Sequence, residues 1–161
     1  MSGRPGPAGP LARIVKSVDF VRVLRVRSRA ATDHFAVHHL AGPPSPARPR
    51  GGKLSTILVD RGASPVDDLP AQASVVLESW VGAVVPKRHA KRAVTRSLLK
   101  RQIYAAAERH RDRLAPGLWI VRLRSPFDKT RFASAASDAL RRGARDELEV
   151  LLCAARQGGD G

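Results

Sequence analysis

Residues 81–113 read VGAVVPKRHAKRAVTRSLLKRQIYAAAERHRDR, and the fold is read outward from them. A short apolar run, Val81 to Val85, ends at Pro86. Proline has no amide to give to a strand ladder, so the strand stops there. A helical pattern follows, with its start expected near His89 or Ala90 and its end near Arg113. Leu98, Leu99, Ile103 and Ala106 fall on one stripe of that helix, and Arg96, Lys100, Tyr104 and Arg111 fall on its other faces. Between Lys87 and Arg101 there are seven Lys or Arg residues and no acid. A charge run is often no more than a solvated helix face. This one is too dense and too free of acids to sit comfortably without an anion beside it.

Composition agrees. The chain has 161 residues, 29 Lys plus Arg against 14 Asp plus Glu, and a formal net charge of +15. That excess favours a polyanion as partner, nucleic acid first and an anionic membrane surface second. No apolar run approaches the roughly 20 residues that span a bilayer. The 43% hydrophobic content supports a core, and the 4% aromatic content means that Val, Leu, Ile and Ala must build it. The lone Cys153 excludes an internal disulfide and a cysteine-based zinc site, in keeping with a cytoplasmic protein. It lies near the apolar face of the last helix and is expected to be buried filler.

Upstream of this stretch, residues 1–12 are Gly- and Pro-rich, lack the apolar core of a secretory signal and read as a disordered arm. Ser17 is expected to cap a short first helix, with Asp19 in its first turn favoured by the helix dipole, and Phe20 and Leu24 on one face. Residues 27–31 and Phe35 to Leu40 read as strands. Residues 42–74 read as an inserted excursion: a Pro- and Gly-rich linker, a candidate strand over 53–60, then a turn-rich segment with Asp67 and Asp68. Val75 to Val85 is the next strand.

Downstream, Pro116-Gly117 is a turn, Leu118 to Arg124 a strand, and residues from Lys129 to about Ala155 a last helix with Gly143 as a bending point. Residues 158–161 form a tail. The order α-β-β-β-α-β-α is α+β, a single small β-sheet packed against helices, with the helices expected on one side. Residues 13–157 form one domain.

No catalytic constellation stands out. His34 and His38 share a strand face but lie about 13 Å apart along it, too far for one metal, and His39 points to the other face. There is no P-loop or dinucleotide fingerprint. The chain presents a binding surface.

The basic stretch resembles the protein component of bacterial ribonuclease P. That family follows a strand with paired Lys or Arg residues, then Arg-Asn, then Lys-Arg a turn later and a further Arg. Here GAVVP precedes Lys87-Arg88, Arg92-Ala93 precedes Arg96-Ser97, and Lys100-Arg101 follow. The likeness extends to Lys16-Ser17-Val18-Asp19-Phe20, to His34-Phe35-Ala36-Val37-His38 and to Pro116-Gly117-Leu118 through Arg124. It covers residues 13–41 and 75–155. Ser97 stands where the family prefers Asn, Leu98 where it often has Arg, and Tyr104 where a final Arg is usual.

The resemblance implies a ribosomal-protein-like fold with a left-handed strand–helix–strand crossover at the basic helix. It implies a protein without catalytic residues, and without a cofactor of its own, in a cytoplasmic ribonucleoprotein endonuclease. There an RNA subunit uses Mg2+ to cut the 5′ leader from precursor tRNA. Lys87, Arg88, Lys91, Arg92, Arg96, Ser97, Lys100, Arg101 and Tyr104 would face the RNA subunit, in a 1:1 complex. Phe20, Leu24, His38 and Arg22, with Arg25 at the rim, would line a leader-binding cleft between the sheet and the first and last helices. Phe20 reads equally as a core residue that pins the first helix. The alternative to this family is a general RNA-binding or ribosomal protein with no role in tRNA processing.

Overall fold

The computed structural model describes residues 11–46, 78–132 and 137–157. The strand expected over 53–60, most of the excursion, the first ten residues and the tail lie outside them. The elements are β1 (Ala12–Arg13), α1 (Ser17–Leu24), β2 (Ser28–Ala31), β3 (Phe35–Leu40), β4 (Ser79–Val84), α2 (Ala93–His110, followed by a 3-10 turn Arg111–Arg113), β5 (Gly117–Leu123) and α3 (Asp138–Gln157). They form one five-stranded sheet in the order β1-β4-β5-β3-β2. β1, β4 and β5 are parallel neighbours, and β3 runs antiparallel to both β5 and β2. A parallel pair cannot be joined by a hairpin, so the chain between β4 and β5 must cross over, and α2 makes that crossing.

β5 is the centre of the molecule. Its LWIVRL run is apolar at nearly every position because both faces of the strand are covered. Trp119, Val121 and Leu123 point to one face, where they meet Phe35, Val37 and Val81 beneath Leu98, Leu99 and Ile103 of α2 and Leu140, Leu148 and Leu151 of α3. Leu118 and Ile120 point to the other, where Ile14, Val23, Phe20 and Leu24 pack. Helices therefore cover both faces, not one: α1 lies opposite α2 and α3. Helical periodicity reports that a helix has an apolar stripe, but not which side of a sheet the stripe seeks.

Several element limits differ from those expected, each for a local reason. β1 pairs Ala12 with Trp80 and Arg13 with Val81, so the arm ends in a strand. α1 begins at Ser17, but Lys16 holds the cap position and no side chain caps the helix. Asp19 lies in the first turn as expected and is fully buried, so hydrogen bonds add to the favour of the helix dipole in holding it there. Its carboxylate accepts from the Ser45 amide at 2.9 Å, the Ser45 hydroxyl at 2.6 Å and Arg22 at 2.9 Å. The first residues of the excursion are thus tied back onto α1.

The last helix starts at Asp138, not near Lys129. Residues 128–132 instead make a turn in which Asp128 accepts from the Thr130 amide and hydroxyl, both at 2.8 Å. The Ser137 hydroxyl accepts from the Leu140 amide and caps α3. Cys153 is exposed, contrary to its expected burial. The buried stripe of α3 runs Leu148, Leu151, Leu152, Ala155, and Cys153 lies one residue past it. Gly117 is a requirement of the fold: its φ is 130°, and a Cβ there would sit 2.5 Å from the Leu40 carbonyl oxygen. No helix among the described residues is long and apolar enough to cross a membrane.

Candidate nucleic-acid interface

Pro86 ends β4, and its carbonyl accepts from the amides of His89 and Ala90, both at 3.1 Å, which turns the chain. Ala90 is buried and anchors the loop to the core. Arg92 remains extended (ψ 134°), so α2 begins at Ala93, later than the pattern predicts. The Ala90 and Lys91 carbonyls, which an earlier start would draw into the helix, accept instead from Arg96 Nη1 at 3.0 and 2.7 Å. Lys87, Arg88, Lys91 and Arg92 are consequently loop residues, all exposed. The loop leads into a helix start with no side-chain cap and no acid in its first turn, where the amide dipoles favour an anion.

Along α2, Leu98, Leu99, Ile103, Ala106 and Ala107 are buried and fix the rotation of the helix. That rotation exposes Ser97, Lys100 and Arg101 and leaves Arg96 and Tyr104 half-buried. Among the described residues, no ion pair involves any of the seven cations between Lys87 and Arg101. Arg96 is spent on the loop's carbonyls. Arg88 donates to His89 Nε2 at 3.1 Å. The other five present their charge outward. Beside the loop, a cavity of about 240 Å³ is lined by the cations Lys91, Arg92 and Lys129 together with Phe127, Phe132 and Leu140.

The residues expected to line a leader cleft gather on the α1 side of the sheet. His38 pairs across the ladder with Ile120, which in turn pairs with Gly82, so all three lie on the face that α1 covers. Phe20 closes directly on Gly82, where a Cβ would sit 2.6 Å from the ring. It is half-buried against the cluster that holds Leu24. The aromatic ring thus pins α1 to the sheet, while the residue as a whole is not fully buried. His38 Nδ1 bonds to the Val26 carbonyl at 2.8 Å, which positions the imidazole at the foot of α1. Arg22 is held by Asp19 and by the Ser45 hydroxyl at 2.9 Å. α3 packs on the opposite face with α2, so the sheet and α1 bound this surface among the described residues.

The remaining histidines have separate duties. His34 Nδ1 meets Glu147 at 2.7 Å and stacks on Phe127 with ring centroids 4.0 Å apart. Burial raises the Glu147 carboxyl, but hydrogen bonds from Thr32 and from the His34 amide and ring outweigh it and hold its pKa below the ordinary value. His39 lies against Trp119, and burial lowers its pKa, with nearby Arg29 adding to the effect against the Pro116 carbonyl. No group of three His, Cys, Asp or Glu among the described residues could hold a metal. Sequence reasoning missed Arg13, whose guanidinium lies over the Tyr104 ring, because a two-residue strand leaves no period to read.

A family model described as Ribonuclease P matches residues 10–143. The ribonuclease P protein component of Paraburkholderia xenovorans is 33% identical over 144 residues, covering 88% of this chain and 78% of the relative. That of Trichormus variabilis is 32% identical over 118 residues, covering 73% and 76%. In fold, the chain is similar to the RNase P protein of Staphylococcus aureus, with a TM-score of 0.54 at 20% identity, covering 89% of this chain and 94% of that one.

Proposed function

The chain belongs to the bacterial ribonuclease P protein family, and on that premise we propose that it grips the catalytic RNA with the loop and outer face of α2 and holds the 5′ leader of precursor tRNA on the α1 side of the sheet. Membership makes it part of an endoribonuclease complex that matures tRNA, with the ribonuclease P RNA as its partner. Lys87, Arg88, Lys91, Arg92, Lys100 and Arg101 neutralise phosphates of that RNA and release its counterions. Ser97 adds a hydroxyl contact, and Arg96 acts by shaping the loop. Phe20 packs against an unstacked leader nucleotide, with Leu24, His38 and Arg22 beside it. The protein supplies binding, and the RNA subunit carries the metal-dependent cleavage with Mg2+. One protein serves one RNA.

The observation that carries this reading is the run of cations over residues 87–101 that pairs with no acid among the described residues. The test is precursor tRNA cleavage at low magnesium. The protein should leave the substrate intact alone and stimulate cleavage when added to a cognate RNA subunit. Cleavage by the protein alone would refute the assignment of chemistry to RNA, and failure to stimulate would refute the cofactor role.

A further inference from the structure

Arg96, Lys100 and Tyr104 follow one another at four-residue spacing, so they form one row along α2. The row carries two cations and then a phenol. A cation returns to this place from another element. The guanidinium carbon of Arg13, in β1, lies 4.2 Å from the centroid of the Tyr104 ring. The backbone delivers it there: Arg13 pairs with Val81 in register, and the following Ile14 donates its amide to the Val81 carbonyl at 3.0 Å. Ile14 is buried in the α1-side cluster, which locks the strand from below. Arg13 itself is exposed and makes no ion pair among the described residues.

We propose that Arg13 is a phosphate-binding residue for the RNA subunit and that Tyr104 is the platform that positions it, so that β1 extends the cationic row of α2 by one turn. The inference rests on the reading of α2 as the RNA-facing helix. An aromatic face attracts a guanidinium through its quadrupole without using its N–H groups. A guanidinium held by its face keeps its edge donors available, and that planar edge matches a phosphate in a bidentate way. Holding the side chain in advance also reduces the rotamer freedom lost on binding. A lysine would fit the platform less well, because its ammonium has no plane to lay on the ring.

The test is the salt dependence of binding to the ribonuclease P RNA, with thermal melting as a check on folding. Arg13→Gln should lower the magnitude of the log–log salt slope by about one. Tyr104→Leu should weaken binding several-fold with the slope nearly kept, since the cation remains but is no longer placed. Tyr104→Arg in the Arg13→Gln background should restore the slope, because it returns a cation to the same row. A wild-type slope for Arg13→Gln, or no recovery in the double variant, would overturn the role of Arg13. Salt-independent binding by the wild-type chain would instead overturn the RNA-facing reading of α2 itself.

Discussion

The two ends of α2 are both rich in basic side chains and treat them in opposite ways. At the far end, Arg109 and the buried His110 both bond to Glu149 of α3, Arg109 at 2.6 Å, and Arg111 bonds to Glu108 at 3.0 Å. At the near end, Lys100, Arg101 and the loop cations meet no acid among the described residues. The difference follows from what each end packs against. The far end lies beside α3, which brings its own carboxylates. The near end leaves β4 through an exposed loop, and among the described residues no acid pairs with it. Basic density alone therefore does not mark a binding surface; basic density left unneutralised by the fold does.

The comparison predicts the largest effect for the loop. Replacing Lys87, Arg88, Lys91 and Arg92 together with Gln should cost the most RNA affinity and lower the salt slope by about three, at roughly 0.7–0.9 per lost phosphate contact. Thermal melting should hardly move, because these side chains are exposed. A large fall in melting temperature would mean that the loop cations serve the fold.

Glu149→Gln should do the reverse. Burial raises the Glu149 carboxyl, but His110 and Arg109 outweigh it and hold its pKa low, so it is an anion that stabilises the α2–α3 contact. Weakening that pairing leaves the buried His110 with a neutral partner, at a cost of up to about 1 kcal/mol, because the carboxylate is 35% exposed and solvent screens it. Denaturant unfolding measures that cost, and the salt slope of RNA binding should stay at its wild-type value.

A smaller effect concerns Asp19 and pH. Burial pushes its carboxyl up, but the Ser45 hydroxyl and amide and the Arg22 guanidinium together hold the pKa below the ordinary value. A depressed folded pKa contributes stability that is fully present above the unfolded value of about 3.9 and is lost as pH falls through the folded one. The stability gap between wild type and Asp19→Asn should be largest near neutral pH and shrink below about pH 4. A gap that widens on acidification would contradict these contacts.

Much of the architecture is legible in the residues, and the reasons differ by element. β3 is legible to its limits, because Phe35 to Leu40 is bounded by turn residues on both sides. The buried stripe of α2 follows from its 3.6-residue period. What the sequence hides is contact between distant segments. Asp19 is a first-turn acid, as its position suggests, but its burial beneath Ser45 is invisible in the sequence. Tyr104 looks like a lost charge until Arg13 is seen above its ring. The start of α2 is set by Arg96 drawing the Ala90 and Lys91 carbonyls to itself, a competition that propensity does not register. Phe20 reads both as a core pin and as a cleft wall, and its half-buried place against Gly82 is compatible with both.

The central claim, that the unpaired face of α2 binds RNA, is tested most directly by the salt dependence of ribonuclease P RNA binding for the wild type and for Lys100→Ala combined with Arg101→Ala. Both side chains are exposed, and their removal leaves the core untouched. The account predicts weaker binding and a slope smaller by about two, with unchanged melting. An identical slope in the two proteins would contradict it.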